Sequence, residues 1–186
     1  ISVVNEIRYQ AVGVAAATAA SIRAADIEKI HAQNDMAKPE YRKIQDYISG
    51  ISKFNPDVRY IYIMRKTSDT GQFEYVVDQA AEDENGDGKL DPDEIAEPPG
   101  KLYDASAFPE MLQGWQQPVA DKQISPDPPY PDLMSGYAPI KDEGGQTVAM
   151  LGVDITARTI AGKLKAIRWV TVMVWFAIST LLSLVL

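Results

Sequence analysis

The feature that most constrains this chain lies at its end. Val148-Ala149-Met150-Leu151-Gly152-Val153-Asp154-Ile155 reads as one strand, made almost wholly of apolar and β-branched residues. Thr156 follows in the position of an N-cap, and Ile160, Leu164 and Ile167 recur on one face of a helix that runs to Arg168. Residues 169–186 contain no charge at all. At about 1.5 Å per residue they reach roughly 27 Å, close to the hydrocarbon thickness of a bilayer at about 30 Å. The expectation is a transmembrane helix over residues 166–186, fed almost directly by the last strand. A domain connected in this way is built to move the span, or to be held by it.

Lys163, Lys165 and Arg168 flank the run on one side, which by the positive-inside rule would make that side cytoplasmic. The rule compares two flanks and only one is present, so topology stays open on this ground. The chain opens on Ile1 inside a helical pattern and stops on an apolar residue, so both ends read as cuts in a longer membrane protein. The residues before 166 suffice for one domain with a real core. A net charge of -8 argues against nucleic acid as a partner, since phosphates demand basic surface. With no cysteine there are no disulfides, and a single histidine, His31, cannot assemble a zinc site or a triad; it reads as a surface or cap residue.

Along the chain, residues 1–25 form an alanine-rich helical pattern with Val4, Ile7, Ala11, Val14, Ala15 and Ile22 on one face and Thr18 its one polar member. Pro39 opens a second helix that places Ile44, Tyr47, Ile48 and Ile51 together. Residues 58–65 are the clearest strand, and a loop at 67–71 leads into a second strand at 72–78, making a hairpin. Residues 79–100 are acidic and end in Pro98-Pro99-Gly100, which marks an insertion. A short helix is expected near 108–112, an irregular segment with four prolines at 123–134, and a closing hairpin with strands at 135–140 and 148–155. The fold class is α+β: a long N-terminal helix packed on a central antiparallel sheet, followed by the C-terminal span.

The most specific local signal is Asp83-Glu84-Asn85-Gly86-Asp87-Gly88-Lys89-Leu90-Asp91-Pro92-Asp93-Glu94. Calcium wants six to eight oxygens at irregular angles. The loop offers side chains from Asp83, Asn85, Asp87, Asp91 and Glu94 and the Lys89 carbonyl, with Gly88 at the sharp turn. Every ligand position of an EF-hand loop is filled. Its flanks are a strand and a proline pair rather than helices, and there is one loop only. A structural staple is therefore the plainer role than a sensor that opens a helix pair. An isolated loop fits weak binding, on the order of 10⁻⁴ to 10⁻³ M, typical of extracellular modules.

The first hairpin carries the candidate ligand site. Alternation puts Tyr60, Tyr62 and Met64 on one face of the strand and Arg59, Ile61, Ile63 and Arg65 on the other. Tyr75 and Asp78 come from the neighbouring strand and Tyr137 from a later one. Tyrosines supply flat contact surface, Arg65 is suited to a carboxylate and Asp78 to an amine. The same face would serve equally as a tyrosine-rich surface packed on helices. No pair of carboxylates stands out as an acid/base couple, so this chain is not expected to be an enzyme.

At these residues the chain resembles a Cache domain, the PAS-like extracytoplasmic sensor of bacterial and archaeal receptors. The resemblance spans residues 1–165. It rests on the long first helix, on Asp57-Val58-Arg59-Tyr60-Ile61-Tyr62-Ile63-Met64-Arg65, on Tyr75-Val76-Val77-Asp78, on Ser135-Gly136-Tyr137-Ala138-Pro139-Ile140 and on Leu151-Gly152-Val153-Asp154-Ile155. It implies a small-molecule pocket between the sheet and its covering loops, for an amino acid, carboxylate or amine. It also implies a homodimer, a preceding span, and a cytoplasmic output such as a kinase, cyclase or chemoreceptor module. The calcium loop departs from the family pattern, which has a short connection there. The alternative is a calcium-stabilised, membrane-anchored binding or adhesion module without a signalling role.

Overall fold

The structure is a computed structural model and describes residues 3–83 and 85–185. Ile1, Glu84 and Leu186, which belong to the expected first helix, calcium loop and span, lie outside the described residues. Helix α1 (Val3–Ala20) presents Ile7, Ala11 and Ala15 to the sheet, all buried. The helix lies close enough that a Cβ on Gly136 would sit 2.4 Å from the Ala11 carbonyl carbon. It stops at Ala20, short of the expected boundary, where the Ser21 N–H bonds the Thr18 carbonyl at 3.0 Å. A short helix α2 (Ala24–Ile27) and a 3-10 turn (Gln33–Ala37) lead to α3 (Pro39–Phe54). Proline opens α3, and Tyr41, Ile44 and Ile48 form its buried stripe.

Six strands follow: β1 (Tyr60–Lys66), β2 (Gln72–Asp78), β3 (Leu102–Asp104), β4 (Val119–Ala120), β5 (Leu133–Lys141) and β6 (Thr147–Thr156), with α4 (Pro109–Gly114) between β3 and β4. Their order is β3-β2-β1-β6-β5-β4 and every pair is antiparallel. The two hairpins expected from sequence join through β1 and β6, so the last strand is central. The edge strands β3 and β4 were not anticipated.

The sheet has two unlike faces. Ile61, Ile63, Val77, Leu151 and Val153 pack with the first three helices in the main core. Met64, Phe73, Tyr75, Tyr137 and Met150 face the other way, with Met111 of α4 and the connecting loops. The helices thus take the isoleucine face of β1 and leave its tyrosine face to the loops. Alternation alone would send Tyr75 and Asp78 of β2 to opposite faces. The register instead pairs Ile63 with Val77 and Met64 with Tyr75, leaving Val76 as an extra, bulged residue. That bulge brings Tyr75 and Asp78 to the same face.

Helix α5 (Ala157–Val185) continues straight from β6. Its N-terminus is capped by Thr156, whose Oγ1 accepts the Thr159 N–H at 3.2 Å. Lys163 Nζ lies 2.5 Å from Asp57 Oδ2 and 3.3 Å from Gln10 Oε1, tying α5 to α1 and to the turn before β1. Ile160 is buried beside Ile7, Met134 and Ile155, whereas Leu164 and Ile167, expected on the same packed face, are exposed. Trp169, Trp175 and Phe176 are exposed further along. Among the described residues no helix is long and apolar enough to cross a membrane. The expected span at 166–186 falls partly on residue 177 and residues 181–186, whose side chains lie outside the described residues.

Candidate functional site

Cross-strand pairing builds the site. One row across the sheet reads Asp78, Tyr62, Gly152, Tyr137, and the next reads Tyr60, Asp154, Ser135. Two acids therefore flank the β1 tyrosines on one face, one from β2 and one from β6. Above them lies a narrow cleft with a free volume of about 30 Å³ as its roof stands. Its roof comes from Asp93 to Ala96 of the insertion, from Tyr103 and from the segment carrying Asp127 and Tyr130. The aromatic rings stand edge to face: Tyr60 with Tyr130 at 5.4 Å between centroids, and Tyr75 with Tyr103 at 6.4 Å.

Asp154 is 4% exposed, and Tyr62 donates its hydroxyl to Asp154 Oδ1 at 3.3 Å. Glycine at 152 makes room for this, because a Cβ there would come within 2.4 Å of the Tyr62 ring. Burial pushes the Asp154 carboxyl up to about 8, against hydrogen bonds from Ser135 and Tyr62 and with help from the Asp121 and Asp127 charges. Asp78 accepts the Gln79 N–H at 2.9 Å and the Glu97 N–H at 2.8 Å, and burial still lifts it to about 7. Burial also raises Asp121, to about 6, and Asp127, which accepts the Tyr103 hydroxyl at 2.9 Å. The site is therefore short of positive charge. Arg59, the one basic residue in the lining, lies over the Tyr60 ring at 4.7 Å, and its Nη2 is 3.8 Å from Asp93.

Of the residues expected from sequence, Tyr60, Tyr62, Tyr75 and Asp78 line this cleft together. Tyr137 is buried beside it and shares a smaller space with Tyr62, Tyr103 and Asp121. Arg65 is not brought to the site. It lies on the helix face, where Nη2 donates to the Ile27 and Ile30 carbonyls at 2.9 and 3.0 Å and Nη1 reaches His31 Nδ1 at 2.9 Å and Glu74 at 3.3 Å. The alternation that put it opposite Tyr62 already implied this. Asp154, Tyr103, Asp127 and Tyr130 were missed. Asp154 had a signal, being the one charge in an otherwise apolar strand; the other three sit in segments without periodicity.

The twelve-residue loop is folded on its own backbone. Asp83 accepts the N–H groups of Gly86 and Gly88, each at 2.8 Å, and these glycines have φ of 71° and 84°. Asp87 accepts the Lys89 N–H at 2.9 Å, Glu94 accepts the Asp91 N–H at 2.9 Å, and Asn85 donates to Asp91 at 3.1 Å. The donors are all oxygens, the set a hard cation requires. Partial desolvation and the neighbouring charges of Glu94, Asp87, Asp93 and Asp83 raise the Asp91 carboxyl. Among the described residues, however, no group of three or more His, Cys, Asp or Glu is gathered tightly enough to hold a metal. Asp93 and Glu94 also line the cleft, and Tyr60 donates to Asp93 Oδ2 at 3.0 Å, so loop and cleft share a wall.

No family model and no curated protein matches the sequence. Solved structures do match the fold. The sensor domain of E. coli DcuS superposes with a TM-score of 0.55 at 16% identity, over 88% of this chain and 98% of that one. The extracellular domain assigned to the histidine kinase vpHK1S-Z8 gives 0.54 at 14% identity, over 86% of this chain and 54% of that one. Methyl-accepting chemotaxis protein X gives 0.52 at 10% identity, over 84% and 58%. The chain thus spans nearly all of the first structure and little more than half of the other two. The fold is shared with these sensor and extracellular domains.

Proposed function

We propose that residues 1–165 are the extracytoplasmic, ligand-sensing input domain of a membrane-anchored signalling receptor. The observation that carries this reading is the wiring of the cleft. Asp154 lines it, and only Ile155 and Thr156 separate Asp154 from Ala157, where α5 begins. A ligand that draws the roof onto the sheet acts on β6 and so on the root of α5. The shift is limited to the ligand's differential affinity for the two states. Lys163, held to Asp57 and Gln10, gives that root a second contact with the domain. The charge-free residues 169–186 serve as the anchor, and α1 and α5 pack against those of a second copy. The fold shared with sensor domains supports the reading, and so does the absence of any candidate catalytic constellation in the sequence.

In the same proposal, the loop from Asp83 to Glu94 is a calcium staple that holds the insertion over the cleft. Asp83, Asn85, Asp87, Asp91 and Glu94 would bind through side chains and Lys89 through its carbonyl, supplying a fixed charge and no chemistry.

The test is a thermal-shift screen of the 186-residue chain in detergent, with calcium throughout, against a library of small metabolites. A saturable rise in melting temperature that is lost in Tyr75→Ala is expected. A response to calcium alone, with silence from every small molecule, would favour the adhesion-module alternative.

A further inference from the structure

We infer that the cleft is built for a small organic cation, a protonated amine or a quaternary ammonium compound. The inference rests on the sensing role proposed above and names the chemical class of the ligand.

Three observations converge on it. The charged groups of the lining are almost all acids, with Asp78 and Asp154 at the floor and Asp127 under the roof. Arg59 sits against Asp93 and over the Tyr60 ring. The other arginine of β1, Arg65, is spent on the helix face against the Ile27 and Ile30 carbonyls. A carboxylate entering this cleft would meet Asp78 and Asp154, like-charged once ionised, in a poorly solvated site whose one cation, Arg59, already faces Asp93.

The second observation is aromatic. Tyr60, Tyr62, Tyr75, Tyr103 and Tyr130 surround the same space, and their mutual edge-to-face and tilted packing holds the rings around it. Tyrosine faces attract an ammonium group within about 6 Å of the ring centroid, and more strongly where water is excluded.

The third is the cost of the acids themselves. Asp154 has hydrogen-bond partners in Tyr62 and Ser135, and Asp78 has the Gln79 and Glu97 N–H groups, so both can be held in place. Neither has a cationic side chain as an ion-pair partner within 4.0 Å among the ion pairs of the described residues. Structural needs are poorly served by burying two such carboxyls, one on each side of β1. A cationic ligand supplies the missing counter-charge, and a charge-assisted bond to each acid becomes available only when it arrives.

The test uses the 186-residue chain in detergent at pH 8, in a buffer free of amines. Tetramethylammonium, butylamine and 1,4-diaminobutane are compared with butyrate, succinate and 1-butanol in thermal-shift titrations. The ammonium compounds are expected to raise the melting temperature saturably and the carboxylates not to. Asp154→Asn and Asp78→Asn, near-isosteric changes, should each weaken ammonium binding by about tenfold or more. Far-UV circular dichroism checks that both variants remain folded. If carboxylates bind instead and lose binding in Tyr75→Ala, the cleft is a ligand site and the cation assignment is wrong. If no compound of either class binds, the sensing role falls and the assignment falls with it.

Discussion

Asp154→Asn gives the sharpest test of the electrostatics of the cleft. In the folded domain burial holds the Asp154 carboxyl up at about 8, against about 3.9 for an unfolded aspartate. Between those values the folded state binds the proton and the unfolded state has lost it. Stability is therefore highest on the acid side and falls as pH rises, by about 1.4 kcal/mol per unit for one such group, levelling above the folded value. Asp78 adds a similar slope up to about pH 7 and Asp121 up to about 6. The groups facing Asp154 from neighbouring elements are Asp121, Asp127 and the tyrosine hydroxyls of Tyr62 and Tyr103; none adds a compensating positive charge. Asp35, lowered to about 2 by Lys38 and the His31 N–H, works in the opposite sense, its contribution fading as pH falls below about 4. The domain should therefore be most stable near pH 4. In Asp154→Asn the slope between pH 6 and 8 should flatten by about 1.4 kcal/mol per unit, or roughly 2–3 kcal/mol over the interval. Urea unfolding followed by circular dichroism at half-unit steps reads this directly, provided the m-value stays constant. Parallel curves for wild type and variant would mean that Asp154 ionises normally in the folded state, and the buried-acid argument would collapse.

Three further perturbations address other parts of the site. Gly152→Ala drives a methyl group into the Tyr62 ring, 2.4 Å from its Cε2 and Cζ. It should cost about 1–3 kcal/mol and abolish ligand response; unchanged affinity in a titration would show that the ring is not held where the structure places it. Arg65→Ala removes the side-chain donor to the Ile30 carbonyl and leaves the Ile27 carbonyl with only the Ile30 N–H, so the melting temperature should drop with a loss of about 1–3 kcal/mol while ligand affinity stays the same. A loss of affinity without a loss of stability would return Arg65 to the binding site. Asp83→Ala combined with Glu94→Ala should eliminate calcium binding by calorimetry and leave the circular dichroism spectrum intact; global unfolding would make the metal part of the core.

Most of the scaffold was legible because it is periodic. The 3.6-residue stripe of α3 survives except at Tyr47, which is exposed, and the alternation of β1 survives from Tyr60 to Met64, while Arg59 joins the tyrosines at the cleft. The site was legible only in part, and the reasons are physical. Tyr75 and Asp78 share a face through a bulge at Val76, and nothing in Gln72-Phe73-Glu74-Tyr75-Val76-Val77-Asp78 announces an extra residue. Tyr103, Asp127 and Tyr130 reach the cleft from loops, whose direction depends on long-range bonds such as Tyr103 to Asp127 and Tyr130 to Glu97. Edge strands of two and three residues bury too little to leave a pattern. Arg65 looked like a ligand clamp because it is charged and sits beside tyrosines in sequence. The strand geometry sends it to the opposite face.

The shared wall between loop and cleft carries the last prediction, that calcium and the organic ligand bind cooperatively. Two effects oppose each other. A divalent cation in the loop repels a cationic ligand, but the loop carboxylates of Asp87 and Asp91 are exposed, and in water a divalent and a univalent charge even 4 Å apart interact by only about 2 kcal/mol. Against this stands the ordering of the roof: fixing one backbone residue costs about 1–2 kcal/mol. Asp93 and Glu94 belong to both sites. If calcium fixes three residues of that wall in advance, the ordering gain exceeds the repulsion, and the ligand binds a roof already in place. Calcium should therefore tighten ligand binding by about fivefold or more, and the ligand should tighten calcium binding by the same factor. Calorimetric titration of each in the absence and presence of the other measures both factors. Equal factors above one support the shared wall. Mutual weakening would mean that repulsion wins, and no change in either direction would mean that the loop holds its shape without the metal.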